Sequence, residues 1–336
     1  MTMLEFTFDL RVPKFSNQRA EDIYACAVDM CEWADSMNFQ AVTVGEHHST
    51  DDQYCSSPIV FGGLVGGRTR QLDLRLIILA PFYNPIRLAE DLATLNIATR
   101  GRALPVISAG YRQAEFDLYG LRLEDRANAV IETVDVLRNA WSGRPFKYRG
   151  RSIGTVSPVP DPPPRLLMGA LTPLMVRKAA ALADGFSPPE PNLYRLFEAE
   201  RKRLGKPDAW PYPNQGTNFM YITEDPESAW DMLVPYWTHI INVYNQWAIE
   251  DGKLHVVNDK FPLATNKEEL KRNPTYKVMT PEQCLEYAAS LGEHADLRFV
   301  PLAGGLPPAV AWSSLKLFER KVLPYLKVTR NDGILY

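Results

Sequence analysis

Short apolar runs alternate with longer amphipathic stretches along most of the chain. The runs FTFDLRV (6–12), AVTVG (41–45), LRLIILA (74–80), ALPVISA (103–109), RLLMGA (165–170), ADGFSP (183–188), TNFMYIT (217–223) and LRFVPL (297–302) are eight candidate strands. Most of them lack apolar/polar alternation, the pattern of strands covered on both faces in a parallel sheet. Helices are expected between them. Over 20–37, Ile23, Ala27, Met30, Ala34 and Met37 recur at helical spacing and form one apolar stripe. Asn84-Pro85, Thr172-Pro173 and Thr280-Pro281 each join an N-cap residue to a proline at the first helical position. The stretch 124–142 carries Val130, Ile131, Val134, Leu137 and Trp141 on one side, with Gly143 as its stop.

Strand followed by helix, repeated eight times, predicts an α/β fold of the (β/α)8 TIM-barrel class rather than a doubly wound sheet. The 336 residues form one expected domain, 1–336. Nearly sixty residues separate the seventh strand from the helix at 281, too many for an ordinary loop. The segment at about 225–280 is therefore expected to be an insertion between strand 7 and helix 7, with 226–250 helical and Trp230, Trp237 and Trp247 within it.

Composition excludes more than it selects. The chain is 46% apolar and 23% charged, with a net charge of −3. A nucleic-acid surface would need a clustered basic face, so none is expected. No apolar window is long enough for a membrane span. The N-terminal MTMLEFTFDLRVPKF has no basic flank and long apolar run, so no signal peptide is expected. The four cysteines form no C-x-x-C pair, which fits a reduced, cytoplasmic setting. GGLVGGR (62–68) lacks the spacing of a phosphate loop. It falls where a helix is due, and its glycines are expected to allow close packing against another helix, across a dimer contact included.

Candidate chemistry lies after strands two, four and five, because catalytic residues of such barrels sit at the C-terminal strand ends. VTVGEHHSTD (42–51) brings Glu46, His47 and His48 to that position. Adjacent side chains on an extended strand diverge, so a shared metal is disfavoured, and no metal site is expected. On residue type alone, one ring capping the strand end and the other exposed is the plainer reading of His47 and His48. Glu46 is either a supporting carboxylate or an exposed one. Strand four ends in VISAGYRQAEF (106–116), where Ser108, Ala109 and Gly110, followed by Tyr111, leave room for a flat ring. Strand five ends in MGALTPLM (168–175). There Gly169, Ala170 and Leu171 lead to Thr172 at a helix N-terminus, which favours an anion such as phosphate.

These strings together resemble the bacterial luciferase-like monooxygenase superfamily over nearly the whole chain. The resemblance is carried by GEHH after strand two, NPIRLAEDLATLN (84–96), GYRQAEFDLYG (110–120), ALADGFSPP (181–189) and GGLPPAVAWSSLKLFERKVLP (304–324). It implies a barrel, usually dimeric through the helices after strands two and three. It also implies reduced FMN (FMNH2) with O2 for a monooxygenase, or the deazaflavin F420 for a dehydrogenase or reductase. His47 and His48 match the family's paired histidines, which implies that one of them is the catalytic acid/base near the flavin, a task that suits an imidazole near neutrality. The family's non-proline cis peptide would fall near Leu76 and Ile77, adding both to the cofactor-binding set. Ser108 stands where luciferase-type members carry a reactive cysteine, and Ala109 where many FMN users carry an arginine. The expected function is oxidation of a small organic substrate with reduced FMN, with a separate flavin reductase as partner. F420-dependent dehydrogenation is the alternative, and a flavin-binding barrel without turnover the second.

Overall fold

The computed structural model describes residues 2–187, 191–209, 214–252, 264 and 266–330. In chain order its strands are β1 (Thr2–Phe8), β2 (Ala41–Val44), β3 (Asp73–Leu79), β4 (Ala103–Ser108), a hairpin of β5 (Phe146–Tyr148) and β6 (Arg151–Ile153), β7 (Leu167–Gly169), β8 (Gly185–Ser187), β9 (Asn214–Gln215), β10 (Phe219–Ile222), β11 (Tyr276–Met279) and β12 (Ala295–Phe299). The first eight helices are α1 (Ala20–Ser36), α2 (Pro58–Arg68), α3 (Pro85–Ala98), α4 (Gln113–Leu118), α5 (Arg126–Trp141), α6 (Pro173–Leu182), α7 (Pro191–Arg203) and α8 (Pro226–Glu250). Helices at Lys267–Arg272, Pro281–Ser290 and Pro308–Lys321 follow. By internal contacts the chain divides into two compact units. The described residues 2–42, 47–56 and 214–330 form the first, and 43–46 and 57–209 the second.

In the first unit β1 pairs in parallel with β12, and β12 with β9. The core behind these strands is aromatic. Phe6 packs against Phe39 at 4.7 Å and against Trp33 at 6.1 Å, and Phe299 meets Phe318 at 4.9 Å. A separate parallel pair, β10 with β11, contains the run 217–223 expected as the seventh barrel strand. The chain turns away from β12 at Gly216, where an added Cβ would lie 3.1 Å from the Asp296 carbonyl. The Thr217 hydroxyl then donates to the Thr275 carbonyl, and β10 follows β11. The partner strand lies 57 residues downstream, so local pattern could not reveal this exchange. Within the expected insertion, α8 forms as a helix over 226–250, while 253–263 and 265 lie outside the described residues. The main chain of α8 at Tyr236 passes so close to Gly304 (φ +64°) that a Cβ there would lie 2.4 Å from the Tyr236 carbonyl.

In the second unit the strand order is β8-β7-β4-β3, all parallel. The cap-plus-proline signals hold. The Asn84 Oδ1 accepts from the amides of Ile86 and Arg87, and the Thr172 hydroxyl from that of Met175. In the first unit Thr280 forms a capping box with Gln283. GGLVGGR is helical, as expected, but its inward glycines pack on a strand and a helix end. A Cβ at Gly62 would meet Leu76 at 3.0 Å, and one at Gly66 would meet Thr99 at 2.5 Å, whereas Gly63 and Gly67 have nothing within 4 Å.

Candidate active site

The C-terminal end of β1 runs on into Asp9, Leu10, Arg11 and Val12, and the loop after β2 is fastened to it. The Cys55 amide donates to the Asp9 carbonyl, the Val12 amide to the Asp52 carbonyl, and the His47 amide to the Cys55 carbonyl. This ladder brings a charged cluster under the His47 ring. Arg11 is 0% exposed. Its Nη1 donates to the Asp52 Oδ2 at 2.7 Å, and its Nε lies 3.2 Å from the Asp9 Oδ2. His239 of α8 meets the same Asp52 oxygen at 2.9 Å. The guanidinium carbon is 4.7 Å from the Tyr54 ring centre, 4.9 Å from Tyr244 and 5.1 Å from Trp247. His47 shares those three rings: Tyr54 edge-on at 4.8 Å, Trp247 at 4.8 Å and Tyr244 at 6.2 Å.

The two carboxylates beside Arg11 are driven apart. Burial pushes the Asp9 carboxyl above its ordinary value, and the Arg11 charge only partly offsets this. Burial also works against the Asp52 charge, but the His239 hydrogen bond and Arg11 outweigh it and bring that carboxyl down to about 2. A proton entering this cluster therefore goes to Asp9 first, and Asp52 stays ionised. The Arg11 Nε and Nη2 and the Asp52 Oδ1 are buried with no hydrogen-bond partner among the described residues. A cation held by charge and ring faces rather than by saturated hydrogen bonds can respond to what binds nearby.

In the second unit the end of β4 offers a half-buried row, Ser108, Ala109, Gly110 and Tyr111. Beside it, at the end of β7, a Cβ on Gly169 would lie 2.4 Å from the Ser108 Oγ, so a larger residue there would have to turn the Ser108 hydroxyl aside. Gly110 has φ +69°, which glycine adopts without strain. Ala170 is buried, while Leu171 and Thr172 are exposed at the start of α6. Pro173 has no N–H and Thr172 occupies the Met175 amide, so the main-chain donors left for an anion are those of 170–172 and 174. A flat group against the small residues with its anionic end toward Thr172 fits this surface. Phe82 stacks on Tyr119 at 4.7 Å and packs edge-on against Phe116 at 5.1 Å in the same unit.

The structure decides between the two readings of Glu46 and corrects the expectation at Leu76 and Ile77. Glu46 is 2% exposed, not a surface carboxylate: its two oxygens accept from the Leu79 amide at 2.8 Å and from the Tyr83 hydroxyl at 2.9 Å, which ties the end of β2 to the end of β3. Leu76 and Ile77 lie in mid-strand, paired with Pro105 and Val106. Leu76 faces Gly62 of α2, and Ile77 packs on Leu104, Val106 and Leu167, so neither reaches a strand end. The cis peptide expected between them is absent; the cis bonds among the described residues precede Pro158 and Pro162. His47 and His48 are both buried, at 8% exposure each. Sequence reasoning missed Asp9, Arg11, Asp52, Tyr54, His239 and Tyr244 as a group. The available signal was Asp9 and Arg11, two charges inside a run otherwise fit for a core strand. Among the described residues no cluster of His, Cys, Asp and Glu is arranged to hold a metal, and no helix is long and apolar enough to cross a membrane.

With both units described, the comparisons define the class. The luciferase-like monooxygenase family matches residues 8–295, and the chain belongs to that family, whose members include flavin- and F420-dependent oxidoreductases. The oxygenating constituent of 3,6-diketocamphane monooxygenase from Pseudomonas putida, a type II Baeyer–Villiger monooxygenase solved with FMN, superposes with a TM-score of 0.76 at 15% identity, covering 98% of this chain and 100% of that one. Likeness at that identity shows the fold, which is the (β/α)8 barrel class. The oxygenase component of the flavin-dependent trigonelline monooxygenase of Acinetobacter baylyi is 22% identical over 51% of this chain and 50% of its own length. The F420-dependent glucose-6-phosphate dehydrogenase of Nakamurella multipartita is 27% identical over 49% of this chain and 53% of its own. The chain thus spans about half the length of these curated relatives.

Proposed function

We propose that this chain is the oxygenase of a two-component flavin monooxygenase, which takes reduced FMN from a separate reductase and oxidises a small organic substrate with O2. Reduced FMN, when bound, supplies the electrons for oxygen activation. The chain's own residues do the rest. Ser108–Tyr111 and Gly169–Leu171 flank the ring, and Thr172 with the nearby amides receives the phosphate. His47 or His48 moves a proton at the substrate, and the aromatic rings around His47 exclude water there. The observation that carries this reading is the close passage of Gly169 beside Ser108 at two strand ends, in a chain whose whole length superposes on an FMN-bound relative. Anaerobic titration with reduced FMN and with reduced F420 tests it: saturable binding of FMN alone is expected, and binding of F420 alone overturns it.

F420-dependent hydride transfer is the second reading, favoured by the likeness to the glucose-6-phosphate dehydrogenase and by Ala109 in place of an arginine. The substrate is a small molecule in either case. A homodimer through α2 is part of the proposal, supported by Val60 (66% exposed) and Leu64 (54%) beside the open Gly63 and Gly67. Light scattering should give a dimer, and Leu64→Glu a monomer; a monomeric parent chain ends that part. Four buried cysteines, none bridged, support a reducing, cytoplasmic location.

A further inference from the structure

We propose that Trp247, Trp237 and Trp230 of α8 form an electron-transfer path that drains oxidising equivalents from the His47 rim. The proposal rests on the oxygenase reading for its oxidant, a one-electron oxidant derived from O2 in turnover without substrate. The path itself stands on geometry within the first unit. Trp230, Trp237 and Tyr244 recur every seven residues along α8, two turns apart, so they share one face, and Trp247 follows one turn after Tyr244. At the inner end the Trp247 ring lies 4.8 Å from His47 and 5.2 Å from Tyr244. At the outer end Trp237 meets Trp230 edge-on at 5.5 Å. Trp247 and Trp237 are ten residues apart, about 15 Å of helix rise. Two phenol rings stand in that interval: Tyr244, and Tyr276 of β11, which lies 5.3 Å from Trp237 and near enough to Tyr244 for that phenol to disfavour its ionisation.

Indoles are the stops on this path because an indole can lose one electron while keeping its N–H proton. A phenol gives up an electron readily only as its proton leaves. The Tyr276 hydroxyl is buried with no hydrogen-bond partner among the described residues, and burial holds its proton in place, so this ring bridges the interval without being oxidised. All three indoles are buried, which keeps water from the charge in transit. The charge also has a direction. The Arg11 guanidinium lies over the Tyr244 and Trp247 rings and disfavours a second positive charge on either, while among the described residues no cation lies over Trp237 or Trp230. One electron moves inward at each step. Trp247 gives it to the oxidant, Trp237 restores Trp247, and Trp230 restores Trp237. A thiol in solution restores Trp230, losing its proton to water and ending in a disulfide.

The four native cysteines are buried, and Ile249, two residues past Trp247, is 50% exposed, so Ile249→Cys takes a ruthenium polypyridyl label at one place. Flash-quench oxidation of that label, with no thiol present, should produce an indole radical, and peptide mapping should find the stable oxidation product at Trp230. In Trp237→Phe the product at Trp230 is lost and Trp247 carries it instead. If Trp237→Phe does not fold, Trp230→Phe is read in its place, with the product expected at Trp237. Product confined to Trp247 in the labelled parent chain, or product at Trp230 unchanged by Trp237→Phe, overturns the path. Turnover with reduced FMN and O2 but no substrate reads the role. Trp237→Phe should start at the parent's rate and inactivate after fewer turnovers; equal lifetimes overturn the protective role. A chain that consumes no O2 with reduced FMN ends the oxygenase reading, and the flash experiment still decides the path.

Discussion

Two buried arginines in this chain are treated in opposite ways. Arg102, just before β4, has every guanidinium N–H bonded: Nε to the Thr99 carbonyl, Nη1 to the Thr69 hydroxyl and the Leu72 carbonyl, and Nη2 to the carbonyls of Gly66 and Thr69, all at 2.8–2.9 Å. It sits at the N-terminal ends of its strands and closes the C-termini of α2 and α3, whose last carbonyls have no helical partner. Arg11 follows the C-terminal end of β1 and has two nitrogens without hydrogen bonds, two carboxylates and three rings. The difference follows the division of labour in barrels, where the N-terminal strand ends serve stability and the C-terminal ends serve chemistry. A saturated cation cannot respond to a ligand, whereas an unsaturated one beside a histidine can.

The contrast predicts that damage at one arginine appears in stability and at the other in turnover. The largest effect expected is on turnover: His47→Ala, which removes the proposed proton carrier above Arg11, should lower kcat about 100-fold with little change in melting temperature. Steady-state kinetics with reduced FMN, or F420 if that is the cofactor bound, measures it; an equal loss of stability would break the comparison. Next, Arg102→Met should cost at least about 3 kcal/mol in urea unfolding, since it abandons five hydrogen bonds and strands buried carbonyls, while kcat per folded molecule stays constant. The acid limb comes third. Asp52 has a folded value of about 2 against an ordinary 3.8, so its contribution is fully present above about pH 4 and is lost as pH falls through 2. It amounts to about 2 kcal/mol. Stability measured from pH 5 to pH 2 should therefore be flatter in Asp52→Asn than in the parent chain, and an unchanged slope would remove Asp52 from the acid response. The smallest effects test the base of the second unit. Gly66→Ala should destabilise by about 1–3 kcal/mol because its Cβ meets Thr99. Gly63→Ala, facing open space on the same helix, should stabilise by about 0.5–1 kcal/mol. Thermal melts of the pair decide the sign.

What was legible in the sequence was what local chemistry decides. Asn84-Pro85, Thr172-Pro173 and Thr280-Pro281 start helices because a side-chain acceptor and a residue with fixed φ act within one turn. The small residues at 108–110 and 169 were readable for the same reason: the size of a side chain is a property of the residue itself. What remained hidden depended on distant partners. Asp52 meets Arg11 across 41 residues and His239 across 187, so no window of sequence contains the cluster. Phe219–Ile222 has the composition of any core strand, and only its pairing with Tyr276–Met279 separates it from the strands of the larger sheet. Glu46 stayed open between a supporting and an exposed carboxylate because its acceptances from Leu79 and Tyr83 depend on where β3 ends.

The crossing of α8 over Gly304 constrains how this helix could be exchanged for another. The carbonyl of Tyr236 occupies the space a methyl group would need at position 304. A transplanted helix can bring new side chains, but it must lay bare main chain on that one residue. Glycine at 304 is thus the socket into which any substitute segment has to plug.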